Sequence, residues 1–394
     1  MQEVTIKRDD SISLEKDIKQ FLNPKFVFLP IESGFQLKVS DGDYVYKHDI
    51  VAMSKEGYIL KSPISGKVLG LKKMDYYSES SVISIVIEND FKENVRSKRS
   101  LKKVILDYSK DEFLQILREN SYRYRKERLF DKYLVTNSIL IINGVERDPN
   151  FANKRFLLDT SLEDVLEMSD FLGSVMDAQK IYFVIKNTDS EMIGKLTNHL
   201  GTYPNIELRL IPDVYPNGDA RVLKKLLKIE GATTIEVEEV LYLYHILKRQ
   251  KPLTSKLLTI TGKGVSPNAV VRVKLGTLLS EVFVHNFDFT CKDVDVYVNG
   301  FLYGTKVDSL KLVIDDEIDG IYVTKKSASM PEKCLNCGLC SKTCPMGLNP
   351  KYVFDHDGKV KSEYYDTCIQ CGLCDYVCPT NQNLKEKMKG FKES

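Results

Sequence analysis

The spacing of apolar and polar positions changes character along the chain. Residues 1–95 carry short alternating runs broken by turn formers. Gly42-Asp43 leads into Tyr44-Val45, Ser62-Pro63-Ile64-Ser65-Gly66 leads into Lys67-Val68, and Val82 to Glu88 alternates β-branched residues, which predicts short strands joined by turns. Asp111 to Arg128 is charged and helix-compatible, and the apolar run Ser138 to Asn143 predicts a strand ending at Gly144. Helix and strand periods then alternate. Ser161 to Met176 reads as an amphipathic helix capped by Ser161, with Glu163 and Asp164 in its first turn. Lys180 to Lys186 reads as a strand, Ser190 to Leu200 as a helix, Ile206 to Ile211 as a strand and Asp219 to Ile229 as a helix. Such alternation predicts a parallel α/β sheet over 104–250. From Lys256 to Lys325 strand signals return at Leu257–Thr261, Val270–Val273, Asp293–Val298 and Gly320–Val323, predicting a small β-rich domain over 251–325. The remainder, 326–394, is expected to be a helical module whose Lys-rich tail after Leu384 frays.

Composition is that of an ordinary globular protein, with 43% hydrophobic and 28% charged residues. A net charge of +2 gives no electrostatic case for nucleic acid. No apolar run is long enough to span a bilayer, and no secretory signal is visible, so a cytoplasmic protein is expected, with peripheral attachment to a membrane complex left open. The basic stretch Arg96 to Lys103 reads as a solvated linker, with a docking strip for an acidic partner as the alternative.

Eight of the nine cysteines form two copies of one pattern: Cys334, Cys337, Cys340 and Cys344 followed by Pro345, and Cys368, Cys371, Cys374 and Cys378 followed by Pro379. Both read C-x2-C-x2-C-x3-C-P, the run that holds paired [4Fe–4S] clusters in bacterial ferredoxins, where the fourth cysteine serves the other cluster. The expected sets are Cys334, Cys337, Cys340 and Cys378 for the first cluster, and Cys368, Cys371, Cys374 and Cys344 for the second. Zinc sites use two cysteine pairs, not two triplets each followed by Cys-Pro, and a disulfide framework would not confine its cysteines to one end of a chain this long. Gly338 and Gly372 free the backbone to turn its amides toward the sulfides. Cys291 is expected to be a small buried apolar residue.

Residues 1–95 resemble the lipoyl-type barrel-sandwich fold. Lys55 lies near the place of a cofactor-bearing lysine, but without a Met-Lys-Met setting it is read as solvated. The larger order resembles the RnfC family, the peripheral iron–sulfur subunit of the Rnf electron-transport complex, which is related to the NADH- and flavin-carrying subunit of respiratory complex I. The resemblance rests on Ile142-Asn143-Gly144-Val145-Glu146-Arg147-Asp148-Pro149, close to the family's I-N-G-A-E-C-E-P, and on Tyr215-Pro216-Asn217-Gly218, close to Y-P-Q-G-G. Thr259–Gly262, Gly276-Thr277 and Gly300–Gly304 match β-grasp turns of the family. It implies a multidomain α+β chain: a barrel-sandwich domain, a central α/β domain, a β-grasp (SLBB-like) domain and a two-cluster ferredoxin module.

The departures bear on function. Family members that oxidise NADH carry a glycine-rich loop before the I-N-G strand, whereas this chain has Ser121-Tyr-Arg-Tyr-Arg-Lys-Glu-Arg128 there and no glycine between Gly70 and Gly144. The family's N-V-E-T segment appears as Thr233-Thr-Ile-Glu-Val-Glu238, and a glycine has become Asp219, both adding charge that repels phosphate. Arg123, Arg125 and Arg128 read as a solvated helix face, the alternative being phosphate binding through arginine. Glu146 matches a carboxylate that the family places near its flavin, and by that resemblance is a remnant of the site, with no role assigned once the flavin is gone. The resemblance thus implies an electron-transfer subunit without FMN that works with a redox partner protein. An NAD(P)H-oxidising flavin subunit and an assembly scaffold are the rival readings.

Overall fold

The computed structural model describes residues 6, 11–96, 103–120, 125, 127, 129–249, 252–326, 331–355 and 366–392. In the N-terminal part, a four-stranded antiparallel sheet in the order Phe26–Pro30, Val82–Asn89, Gly66–Met74, Tyr44–Val45 faces a three-stranded sheet of Phe35–Leu37, Ile50–Ser54 and Ile59–Lys61. Val27, Leu29, Val51, Ile85 and Ile87 fill the space between them from the inward sides of their strands, joined by Ile64 from the turn before Gly66–Met74. Lys55 is exposed at the tip of the Ile50–Ser54/Ile59–Lys61 hairpin.

The central sheet is wholly parallel, in the order Ile206–Ile211, Lys180–Lys186, Ile139–Asn143, Thr233–Glu236. Its two central strands, Ile139–Asn143 and Lys180–Lys186, are apolar runs because helices cover them: Asn153–Val175, Ser190–Leu200 and Ala220–Leu227 supply crossovers, and Val237–Arg249 packs against the first of these. The chain leaves Ile139–Asn143 toward one side and returns to its other side with Thr233–Glu236. The carboxyl ends of these two strands therefore form a topological switch point, where open α/β sheets place ligands.

In the third part, a six-stranded sheet runs Lys19–Phe21, Ala269–Lys274, Ser255–Thr261, Gly320–Lys325, Val294–Val298, Thr305–Val307. Helix Leu279–Asn286 buries Leu279, Val282 and Phe283 on it. The last part consists, among the described residues, of four short helices, Leu339–Thr343, Pro350–Asp355, Leu373–Tyr376 and Leu384–Lys392.

Several expectations require correction. Lys19–Phe21, placed within 1–95 by its position in sequence, pairs in parallel with Ala269–Lys274 of the third sheet. The helix expected at Ser161 begins at Asn153, and Ser161 marks a break within it, at φ −147°. Helix Leu279–Asn286 lies where only strands were expected, because its eight residues are too few to show a helical period and Val282-Phe283-Val284 at their centre favours a strand. The tail from Leu384 to Lys392 is an ordered helix anchored by buried Met388. Cys291 is half-buried, not enclosed, its thiol reaching the Asp293 carbonyl at 3.5 Å.

Candidate functional site

The two cysteine runs repeat one another in backbone detail. Asn336 and Gln370, each two residues after a first cysteine, take φ of 57° and 58°. Gly338 and Gly372 take (70°, 7°) and (73°, 1°), a left-handed conformation that glycine adopts without steric cost and that starts a short helix in each copy. The turns aim amides at sulfur: Asn336 N–H donates to Cys334 Sγ at 3.5 Å and Gln370 N–H to Cys368 Sγ at 3.4 Å. N–H···S bonds of this kind stabilise negative charge on a thiolate and tune a bound cluster.

The copies interlock. One cavity is lined by Cys334, Cys337, Cys340 and Cys378, the other by Cys344, Cys368, Cys371 and Cys374. Each takes three cysteines from one run and the fourth from the other, because each fourth cysteine follows a short helix that carries it across to its neighbour. Among the described residues no three His, Cys, Asp or Glu side chains converge on a point where a single ion could bind. Four thiolates on one zinc would each stand about 2.3 Å from it. An all-sulfur set spread around a cavity instead fits an iron–sulfur cube, in which every thiolate binds its own iron. Burial pushes the Cys371 thiol up to about 12 and raises Cys374 as well, a cost that coordination to iron would offset by displacing the proton.

The surroundings of the two copies differ. Ile369 is 3% exposed and its counterpart Leu335 67%; Cys371 is buried and Cys337 exposed. The second run sits in a shell of Tyr215, Val222 and Leu302. The Tyr215 hydroxyl donates to the Cys371 carbonyl at 2.6 Å, the Arg221 guanidinium to the carbonyls of Asp366 and Cys368, and Lys225 to that of Pro345. Lys385 donates to the carbonyls of Leu302, Tyr303 and Gly304. A Cβ on Gly372 would stand 2.3 Å from the Leu302 oxygen, so this contact needs glycine. Asp219, read above as a phosphate-repelling substitution, caps helix Ala220–Leu227 by accepting from the amides of Arg221 and Val222, and so sets the helix that presents Arg221 and Lys225.

Tyr215 belongs to a loop that leads back to the switch point. The Asn143 amide donates to the Gly218 carbonyl at 2.9 Å and to Glu236, and a Cβ on Gly218 would meet the Glu146 carbonyl at 2.1 Å. Around Glu146 lie Arg125, Arg147, Lys154, Glu236, Glu238 and Asp319. Arg125 is not on a solvated helix face: its guanidinium pairs with both oxygens of Asp319, and its backbone N–H donates to Asp316. Arg123 and Arg128 lie outside the described residues. Lys154 pairs with Glu236 and donates to the Val145 carbonyl. Burial raises Glu146 to about 8, aided by the Glu238 and Asp319 charges against the pull of Lys154. Burial opposes ionisation of Asp319 too, but Arg125 and Lys256 outweigh it and hold that carboxyl below the usual range. The space left is about 10 Å³, room for roughly one water. Glu236, Glu238 and Asp319 give this lining acidic charge beside Arg125, Arg147 and Lys154. The contribution of Asp319 was not foreseen from sequence; the acidic stretch Asp315-Asp316-Glu317 with Asp319 was the available signal that buried arginine partners lay elsewhere.

Comparison with known proteins agrees with this layout. Residues 2–92 match the RnfC barrel sandwich hybrid domain, 125–239 the Nuo51 FMN-binding domain and 333–382 a 4Fe-4S dicluster domain. A subunit of an ion-translocating oxidoreductase complex from Erwinia tasmaniensis is 27% identical over 240 residues, covering 55% of this chain and 30% of the relative. The equivalent protein of Rhodobacter capsulatus, which bears the same name, is 26% identical over 244 residues, covering 57% and 46%. Over these stretches the chain is similar to the RnfC family. The matches span less than half the length of these RnfC relatives. In fold, the chain is similar to an NAD+-reducing [NiFe]-hydrogenase in the H2-reduced state, with a TM-score of 0.51 at 14% identity over 73% of this chain and 65% of that one. Among the described residues, no helix is long and apolar enough to cross a membrane.

Proposed function

We propose that the chain is a one-electron relay with two [4Fe–4S] clusters, the first held by Cys334, Cys337, Cys340 and Cys378 and the second by Cys344, Cys368, Cys371 and Cys374. It works without a flavin or nicotinamide site of its own, within a larger electron-transfer complex on the cytoplasmic face of a membrane, attached through a redox partner protein. The observation that carries the reading is the pair of cavities, each lined by four cysteines drawn from both runs. When bound, the clusters accept and pass single electrons. The chain's residues do the rest. Crossed cysteines hold the cavities side by side, the amides of Asn336 and Gln370 steady the thiolates, and Ile369, Leu373 and Tyr215 keep water from the second set. The ion pairs of Arg125 with Asp319 and of Lys154 with Glu236 close the switch point to a cofactor.

A second reading, an NAD(P)H-oxidising flavin subunit, is favoured by the match to an FMN-binding domain over 125–239. Anaerobic preparation with iron and flavin assays, followed by NADH titration, separates the two. The relay should carry about eight irons and no flavin, with visible absorbance bleached by dithionite and untouched by NADH. Stoichiometric flavin with bleaching by NADH would establish the second reading.

A further inference from the structure

The repeat in the cysteine module runs further than its cysteines. Cys344-Pro345-Met346-Gly347-Leu348-Asn349-Pro350-Lys351 and Cys378-Pro379-Thr380-Asn381-Gln382-Asn383-Leu384-Lys385 share the Cys-Pro start, an asparagine two residues before the end and a final lysine. Gly347 and Asn381, at the same place in the two copies, both take positive φ, of 76° and 47°. Each lysine reaches the cavity of its own run. Lys351 lines the one formed with Cys334, Cys337 and Cys340, and Lys385 the one formed with Cys368, Cys371 and Cys374. Lys385 donates to the carbonyls of Leu302, Tyr303 and Gly304 at 2.9, 2.8 and 2.5 Å. Three acceptors on one nitrogen need three N–H bonds, which an ammonium has and a neutral amine lacks. Burial pulls the pKa of this lysine down, against the Glu386 and Asp375 carboxylates that favour its charge. The side chain thus brings a positive charge to a cavity that Ile369, Leu373 and Leu302 shield from water. Asp375 is the nearby opposing charge, but its two oxygens accept from the amides of Leu384 and Lys385, and it is not part of the cavity wall. Lys351 stands beside the outward half, where Leu335 and Cys337 meet solvent.

A [4Fe–4S] cluster with its four thiolates is an anion, and one added electron deepens that charge. Surroundings shielded from water penalise the more negative state and hold the potential down. A neighbouring cation favours that state, and most strongly where water screens least. We propose that Lys385 keeps the embedded second cluster reducible, its ammonium raising the potential of that cluster against the penalty of burial. Lys351 is the repeat-related counterpart at the first cluster, with a smaller effect because solvent screens it. The step is the passage of one electron from the relay's reduced partner to the cluster, with no bond made or broken and no proton moved. This role presupposes the relay reading and makes Lys385 a positioning residue within it, a charge held in place by the carbonyls of residues 302–304.

The test is a mediated anaerobic redox titration of the full, cluster-loaded chain, with each cluster followed by electron paramagnetic resonance. The second cluster's signal is the one lost in Cys344→Ala. Lys385→Met should make the second cluster about tenfold harder to reduce, a fall of about 59 mV for one electron, and leave the first unchanged. Lys385→Arg keeps the charge and should leave the potential close to that of the unaltered chain. Lys351→Met should shift the first cluster in the same direction by about threefold or less, the charge there being screened. Equal second-cluster potentials in Lys385→Met and the unaltered chain, each with about eight irons, would overturn the proposal. An equal fall in Lys385→Met and Lys385→Arg would point to packing instead of charge and overturn it too. Lys385→Gln keeps a hydrogen-bonding head without the charge, in case the methionine variant assembles badly, and should show the same tenfold effect. Loss of the second cluster's iron in both neutral variants would make the lysine a structural anchor only, again overturning the proposal. An unaltered chain without two [4Fe–4S] signals would defeat the relay reading itself and this role with it.

Discussion

The two halves of the cysteine module share spacing, dihedral angles and N–H···S contacts, yet one is embedded in the protein and the other faces outward. The motif dictates ligand chemistry and loop shape; it does not dictate dielectric surroundings or access. Those come from residues far away in sequence, Tyr215 and Leu302 for the second half, and they give two copies of one chemical unit different surroundings.

The sharpest way to break this comparison is to remove one crossed ligand. Cys344→Ala should destroy the cluster bounded by Cys368, Cys371 and Cys374 and spare the one nearer in sequence, leaving about half the iron and one of two paramagnetic signals. Selective loss of the nearer cluster would contradict the interlocked arrangement. Next in size is attack from solvent. Air or a chelator should bleach the module in two phases, the fast one belonging to the half with exposed Cys337 and at least several-fold quicker. Leu302 and Tyr215 shield the slow half.

A subtler comparison sets Gly372→Ala against Gly338→Ala. Both pay roughly 1–2 kcal/mol for a side chain in left-handed backbone, but only Gly372 abuts the Leu302 oxygen. Its variant should lose a further 1–3 kcal/mol, roughly the cost of overpacking, seen in anaerobic thermal melts. An effect of another kind, read as a slope against pH, concerns the ground beneath the embedded half. Glu146 sits at about 8 when folded and near the ordinary carboxylate value of about 4.3 when unfolded. Between those values the folded state binds the proton and the unfolded state does not, so this group makes stability fall as pH rises through the window. Glu146→Gln should remove that slope, and its melting temperature should gain on the unaltered chain from pH 5 to pH 9.

Legibility in the sequence followed the range of the interactions concerned. Lys180–Lys186, Ser190–Leu200 and Ile206–Ile211 lie where periodicity predicts them, because hydrophobic alternation and the Asp189 cap are local signals. The cysteine runs were legible for the same reason. Arg125 was not, since its partner Asp319 stands 194 positions away, and a charged segment reads alike whether it meets water or a buried carboxylate. Asp219 shows the complementary error: an acid read as electrostatic repulsion of a ligand serves as a helix cap.

The strand Lys19–Phe21 sets a timetable for biosynthesis. Lys19 pairs with Val271, and the Phe28 amide donates to the carbonyl of Gly276, so the beginning of the chain completes its bonding only against segments made much later. At ribosomal speeds of about 5–20 residues per second, the roughly 250 residues between them take about 10–50 s to emerge. Through that interval the half-buried Phe21 has no sheet to join, and the first domain waits as an open edge. Until the β-rich domain leaves the ribosome, this early strand is therefore an unpaired edge open to misassociation.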